Sequence, residues 1–311
     1  MSVLLLLLAG VPFTGAVLAA VFSPRGGRFA AAVALLALVV AVGLAAVVAV
    51  SAAHGTVATV VLAWVPALGL DLGLRGDLLG AGFALAVQLV GVRLAWLRRS
   101  SDASALPPTL PLALLLIGTV QLAMLADNLL VATAASQLAI VAAFFLESRA
   151  APAADACSRL VLHTLSAGTL ALLGAVLMFG DTVGGYRSDA TLGAAAVLRA
   201  QPLFPVMAGL LLAGAWTRSA AWPWGPALAP GLAAALDGGG TAGTLLLLSG
   251  FYVMIRLLPL VDGRLPPALI VAGFAAAPVV LAILARLLRA SDAAGGERIA
   301  APVPPAARGQ R

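Results

Sequence analysis

The sequence predicts an all-α integral membrane protein with about nine transmembrane helices, and three observations predict it. Of its 311 residues, 62% are hydrophobic and only 10% charged, with a mean hydropathy of +1.10. Globular proteins carry about 25% charged residues, and a soluble fold with so little polarity could not cover its own surface. The apolar residues also fall in runs of spanning length. Finally, all 18 basic residues are arginine and sit mainly in the gaps between runs, so topology accounts for the net charge of +6 better than nucleic-acid binding does.

A span needs about 20 mostly apolar residues, which selects segments near 2–22, 29–52, 78–97, 109–126, 129–147, 159–179, 203–222, 241–261 and 266–289. The first begins Leu4 to Leu8 without a preceding basic region, and its following gap, Ser23-Pro24-Arg25-Gly26-Gly27-Arg28, holds charge on the wrong side for a secretory signal. It is expected to be retained. The stretch from Ser51 to Leu74 is interrupted by His54, Pro66 and Asp71 and reads as a partly exposed loop or membrane-surface segment. The stretch from Gly180 to Gln201, with Asp181, Tyr186, Arg187 and Asp189, reads as an extramembrane connection with one short helix. From Ser291 to Arg311, Gly, Pro and charges without apolar periodicity predict a disordered cytoplasmic tail. Arg25, Arg28, Arg98, Arg99, Arg149, Arg159 and the tail fall on one side, and Arg75, Arg187, Arg199 and Arg264 on the other, which puts the N-terminus outside and the C-terminus in the cytoplasm.

No soluble-enzyme motif is present: no phosphate-binding loop, nucleophile elbow or paired metal-binding histidines, His54 and His163 being far apart. Gly238-Gly239-Gly240 suits a hinge, and the single Cys157 matches no metal spacing. No cofactor, metal or nucleic-acid partner is expected. Polar groups inside spans are costly and mark candidate functional positions: Arg93, Gln121, Asp127 with Asn128, Gln137, His163, Arg218 and Arg256, plus Trp222 and Trp224 beside Pro223. Asp127 and Asn128 suit a tight turn between antiparallel helices. Gln137, about two turns into its helix, suits an interhelical hydrogen bond worth ~1 kcal/mol. Arg218 precedes Pro223 and Pro226. It either snorkels from a helix end or lines a broken helix enclosed by protein or water.

Several stretches carry a family resemblance: Trp64-Val65-Pro66 through Leu74-Arg75-Gly76-Asp77; Ala126-Asp127-Asn128-Leu129-Leu130 followed by Ser136-Gln137-Leu138 and Phe144-Phe145-Leu146; Thr217-Arg218-Ser219-Ala220 with Trp222-Pro223-Trp224; and Gly250-Phe251-Tyr252 to Arg256-Leu257-Leu258-Pro259. In this order they resemble the N-terminal half of the antiporter-like membrane subunits of respiratory complex I (the L type of NADH-quinone oxidoreductase) and of the Mrp multisubunit sodium/proton antiporters, most of all the large A-type component of the latter. The resemblance implies N-terminal flanking helices over 1–108, a five-helix repeat with a broken helix over 109–261, a last transmembrane helix over 262–290 and the tail over 291–311. It also implies residence in the plasma (inner) membrane with other membrane subunits as partners, and protons or monovalent cations as cargo.

The departures matter as much. Where the family carries a buried glutamate this chain has Gln137, and where it carries the partner lysine this chain has Arg218. An amide does not titrate and a guanidinium cannot be deprotonated in proteins. Ala242 and Leu248 stand where the family has further proton-carrying side chains, and the second repeat is not expected within this chain. The expectation is therefore a truncated, proton-inactive subunit with a structural or regulatory role and no catalysis of its own. Two rivals remain: a cation-translocating subunit completed by a partner chain and using Asp127, Arg218, His163 and ordered water, and a subunit of an anion or inorganic-carbon uptake complex with Arg218 as a fixed positive charge.

Overall fold

A computed structural model describes residues 1–65, 70–100, 109–150, 155–219 and 241–261. Helices dominate. The first two, α1 (Ser2–Phe22) and α2 (Gly27–Ala53), are joined by a short 3-10 turn that starts at Ser23-Pro24 and ends on Gly26 with φ 126°, a left-handed conformation glycine adopts without a Cβ penalty. Then come strands β1 (Ala58–Val65) and β2 (Leu70–Gly76), and helices α3 (Leu78–Ser100), α4 (Leu110–Leu125), α5 (Leu129–Ala150) and α6 (Asp155–Val183). Two short helices, α7 (Ser188–Gly193) and α8 (Ala195–Ala200), precede α9 (Phe204–Ser219) and α10 (Thr241–Val261).

Eight of the expected spans are thus helices. Five of them are long and apolar enough to cross a bilayer, and shorter apolar stretches lie in α4, α9 and α10. The expected span 266–289, the hinge at Gly238–Gly240, the Trp222-Pro223-Trp224 break and the tail lie outside the described residues.

Side-chain distribution is that of a bundle whose solvent is lipid. On α2 the buried face is Ala30, Ala31, Ala34, Leu38, Ala41, Ala45 and Val48, spaced mainly by three and four residues, while Leu36, Val39, Val40, Val47 and Val50 point outward. A soluble helix would put charge on that outer face. Here the large apolar side chains meet the acyl chains, and the small ones let helices approach closely. Gly168 of α6 and Gly214 of α9 form one such close contact: a Cβ added at Gly214 would lie 2.7 Å from the Gly168 carbonyl oxygen and 2.9 Å from the Leu172 amide nitrogen. The chain is a multi-pass membrane protein.

Packing follows chain order, α1 on α2 and α4, α2 on α3, α4 on α5, α5 on α6, and α6 on α9; α10 then folds back against α3, α4 and α9. Where a loop or membrane-surface segment was expected over Ser51–Leu74, α2 runs on to Ala53 and β1 and β2 pair as the antiparallel arms of a hairpin, with Ala58 opposite Gly76 and Leu62 opposite Leu72. Thr59, Val60 and Val61 favour extended backbone, and pairing the strands satisfies their amides and carbonyls. Exposure along β1 does not alternate, so the sequence carried no period-two signal. The Gly180–Gln201 connection holds two short helices rather than one, and α6 runs on to Val183 before it begins.

Candidate functional site

The hairpin caps the end of the bundle at which α1 starts and α2 finishes: Ser2 Oγ donates to the Thr59 carbonyl oxygen at 3.2 Å. At this end α3, α4–α5, α6–α7 and α10 bring together a cluster of charges. Asp127 sits in the turn between α4 and α5, clamped by backbone on both sides. Its amide donates to the Gly73 carbonyl oxygen of β2, and its own carbonyl oxygen accepts from the Ser188 amide, each at 2.8 Å. Its carboxylate, 2% exposed as a residue, accepts from Ser188 Oγ at 2.8 Å and lies 3.0 Å from Arg187 and 4.0 Å from Arg75. Asn128 caps α5: its Oδ1 accepts from the Leu130 amide at 2.9 Å, and its Nδ2 donates to Asp71 Oδ1 at 2.7 Å. The tight turn expected from sequence is present, and its two polar side chains belong to an ion network.

The network's second half stands at the start of α3. Asp77 Oδ1 accepts from the Gly80 amide at 2.8 Å, an N-cap bond, while Oδ2 accepts from Arg256 Nη1 of α10 and lies 3.3 Å from Arg75 Nε. Arg256 also points a second nitrogen at Ser188 Oγ, 3.4 Å away. Burial pushes the Asp77 carboxyl up, but hydrogen bonds from Arg256 and Gly80 and the charges of Arg256 and Arg75 outweigh it and hold the group below the usual carboxylate range. Asp189 is held low chiefly by the hydrogen bonds from Arg187, which is in turn held above its ordinary value. Asp71, Asp77, Asp127 and Asp189 face Arg75, Arg187 and Arg256, so the cluster is nearly charge-balanced.

The remaining sequence candidates are dispersed. Gln137 lies in the α5–α6 seam, where its Nε2 donates to Ser166 Oγ at 2.8 Å. His163 is exposed on α6, and Arg93 on α3. Gln121 is fully buried and donates to the Leu8 carbonyl oxygen of α1. Arg218 lies in α9, but its side chain is outside the described residues, as is that of Ala242. The approach of Gln137 to Arg218 that the family's glutamate–lysine pair implies lies outside the described residues; α6 packs on both of their helices.

Sequence reasoning singled out Arg256 without its partner and missed Asp77 and Ser188 as site residues. An arginine inside a predicted span demands a carboxylate or carbonyl, and only 12 acidic residues exist to supply one. Asp77, directly before a span, was the available signal.

No family model matches the chain. Over 224 residues it is 31% identical to a probable K(+)/H(+) antiporter A/B subunit of Rhizobium meliloti (strain 1021), a match covering 69% of this chain and 22% of the relative. Its fold is similar to a chain of the Mrp complex from Dietzia sp. DQ12-45-1b, with TM-score 0.70 and 25% identity over 83% of this chain and 28% of that one. It is also similar to a chain of the membrane-bound sulfane sulfur reductase, an archaeal respiratory membrane complex (TM-score 0.67, 17% identity, 85% and 42% covered). A third likeness is to a chain of respiratory complex I from Thermus thermophilus with bound NADH (TM-score 0.60, 19% identity, 81% and 53% covered). The chain thus resembles antiporter-like membrane subunits, and it spans about a fifth of the length of the curated relative it matches.

Proposed function

We propose that this chain is a fixed, non-proton-carrying membrane subunit of an Mrp-like or complex I-like cation/proton-translocating or redox-linked assembly, seated in the plasma membrane beside other membrane subunits. In this reading residues 1–108 flank an antiporter-like repeat over 109–261.

The Gln137–Ser166 hydrogen bond carries the reading. At the position where the resembling subunits hold a titratable glutamate, the amide is bound to a hydroxyl at 2.8 Å. Neither group changes protonation near neutrality. The charges gathered at the hairpin end are each matched by an opposite charge or a hydrogen-bond donor, an arrangement that fixes helices rather than passing protons. Asp127 is the clearest case, held by two backbone hydrogen bonds, Ser188 and Arg187.

Purification from native membranes in mild detergent tests the reading. Other multi-pass subunits should co-purify in fixed ratio, and Gln137→Asn, which keeps the amide but shortens its reach, should leave the assembly's ion flux unchanged while slightly weakening the subunit. Loss of flux on that substitution, with the assembly intact, would give residue 137 a part in conduction and overturn the proposal.

A further inference from the structure

A cavity of about 30 Å³ lies between α4, α5, α6 and α10, larger than the ~10–15 Å³ that one water requires. Arg256 and Ser188, which belong to the charged cluster, are part of its lining, so the cavity adjoins that cluster. Thr133 and Ser136, one and two turns into α5, line it too, Tyr252 of α10 contributes an aromatic side chain, and the rest is mostly aliphatic, Leu172 and Val176 among it.

The two α5 hydroxyls differ. Thr133 donates to the Leu129 carbonyl oxygen at 2.7 Å. Ser136, only 1% exposed, has an Oγ with no hydrogen-bond partner among the described residues. A serine in a membrane helix ordinarily bonds back to its own backbone or across to a neighbour, because an unmet hydroxyl away from water is costly.

We infer that this cavity binds water and is the inner end of an aqueous entry from the hairpin face, which stops at Ser136 beside Gln137. Water fits the lining where other guests do not. An acyl chain would leave the Ser136 hydroxyl unmet. A desolvated monovalent cation would find few oxygens and the Arg256 guanidinium in the lining. Water can accept from Ser136, donate to the Thr133 oxygen, which keeps a lone pair, and continue to the hydroxyl of Ser188.

Cysteine accessibility tests this independently of the function proposed above. In a Cys157→Ser background, which removes the single native thiol, Thr133→Cys, Ser136→Cys and Ala139→Cys are each placed in sealed vesicles and exposed to silver ion from one face at a time. Ala139 is the control, fully buried on the same helix and not part of the cavity lining. Thiols remaining after unfolding are counted by alkylation and mass spectrometry. The expected result is protection at 133 and 136 from the hairpin face only, at least about tenfold faster than at 139, since reactivity follows exposure. Thr133→Cys carries the test if Ser136→Cys does not fold. Equal rates at all three positions, access only from the opposite face, or no reaction at 133 and 136 would each overturn the inference.

Discussion

Asp77 and Arg256 meet across 179 residues of sequence, and the pair shows what single side chains contribute. Both are largely buried, with side-chain exposures of 17% and 12%, so removing one charge leaves the other short of a partner. Asp77→Asn should cost about 2 kcal/mol, below the ~3–5 typical of a fully buried pair because water and Arg75 still reach the site. Denaturation of the purified protein in detergent measures it. The same carboxylate sets a pH dependence. Its folded pKa lies below the unfolded one, so its contribution is present above about pH 4 and is lost as pH falls through the folded value. Melting temperature should be level from about pH 5 to 7 and drop below about pH 4. Asp189 has the same sign, but at 42% side-chain exposure it adds little. Gln137→Leu should cost about 1 kcal/mol by leaving Ser166 without its donor. Of these residues the sequence announced Gln137 and Arg256 as polar positions within spans. Which partner each meets was harder to read: Asp77, directly before a span, offered a signal for Arg256, but Ser166 on α6 lies opposite Gln137 only once the bundle has packed.

Helix packing turns on glycine at two facing positions. Gly214→Val would drive a side chain into the Gly168 carbonyl and the backbone at Leu172, and since backbone cannot swing aside, α6 and α9 must separate at a cost of about 2 kcal/mol or more. Gly209, on the same helix, has nothing within 4 Å of an added Cβ. Gly209→Ala should therefore be neutral or stabilising by up to about 1 kcal/mol. Equal losses from both substitutions would mean that α9 does not pack through Gly214. Most helices were legible because length and hydropathy alone mark a span, and Ala126 to Asn128 was legible as a turn between two apolar runs. The hairpin was not. With Val61, Leu62 and Trp64 all exposed, β1 shows neither alternation nor a run long enough to span, and the local β-preference of Thr59 to Val61 becomes a strand through pairing with β2.

Across the whole bundle, helix direction fixes which connections share a face. Ser23 lies at the far end of α1 from Ser2, whereas Thr56 precedes the hairpin and Ala190 lies in α7 beside the charged cluster. Cysteines introduced singly at the three positions, with Cys157→Ser, should label from opposite sides of the membrane, Thr56 and Ala190 together and Ser23 alone. Arginine placement predicts the direction as well, with Ser23 expected to label from the cytoplasmic side. Labelling of all three from one side would refute the bundle itself.

The proposal that the α5 position carries no protons is tested most directly by reconstitution. The purified chain in proteoliposomes, under an imposed pH, sodium or potassium gradient and with a pH-sensitive dye inside, should give proton flux equal to that of empty liposomes, because an amide at 137 has no proton to exchange and a guanidinium at 218 would need a shift beyond the ~3–5 units burial supplies. Proton flux from the unmodified chain alone, well above empty liposomes and abolished by Ser136→Val, would contradict the account and show that water in the α5 cavity conducts without a titratable side chain.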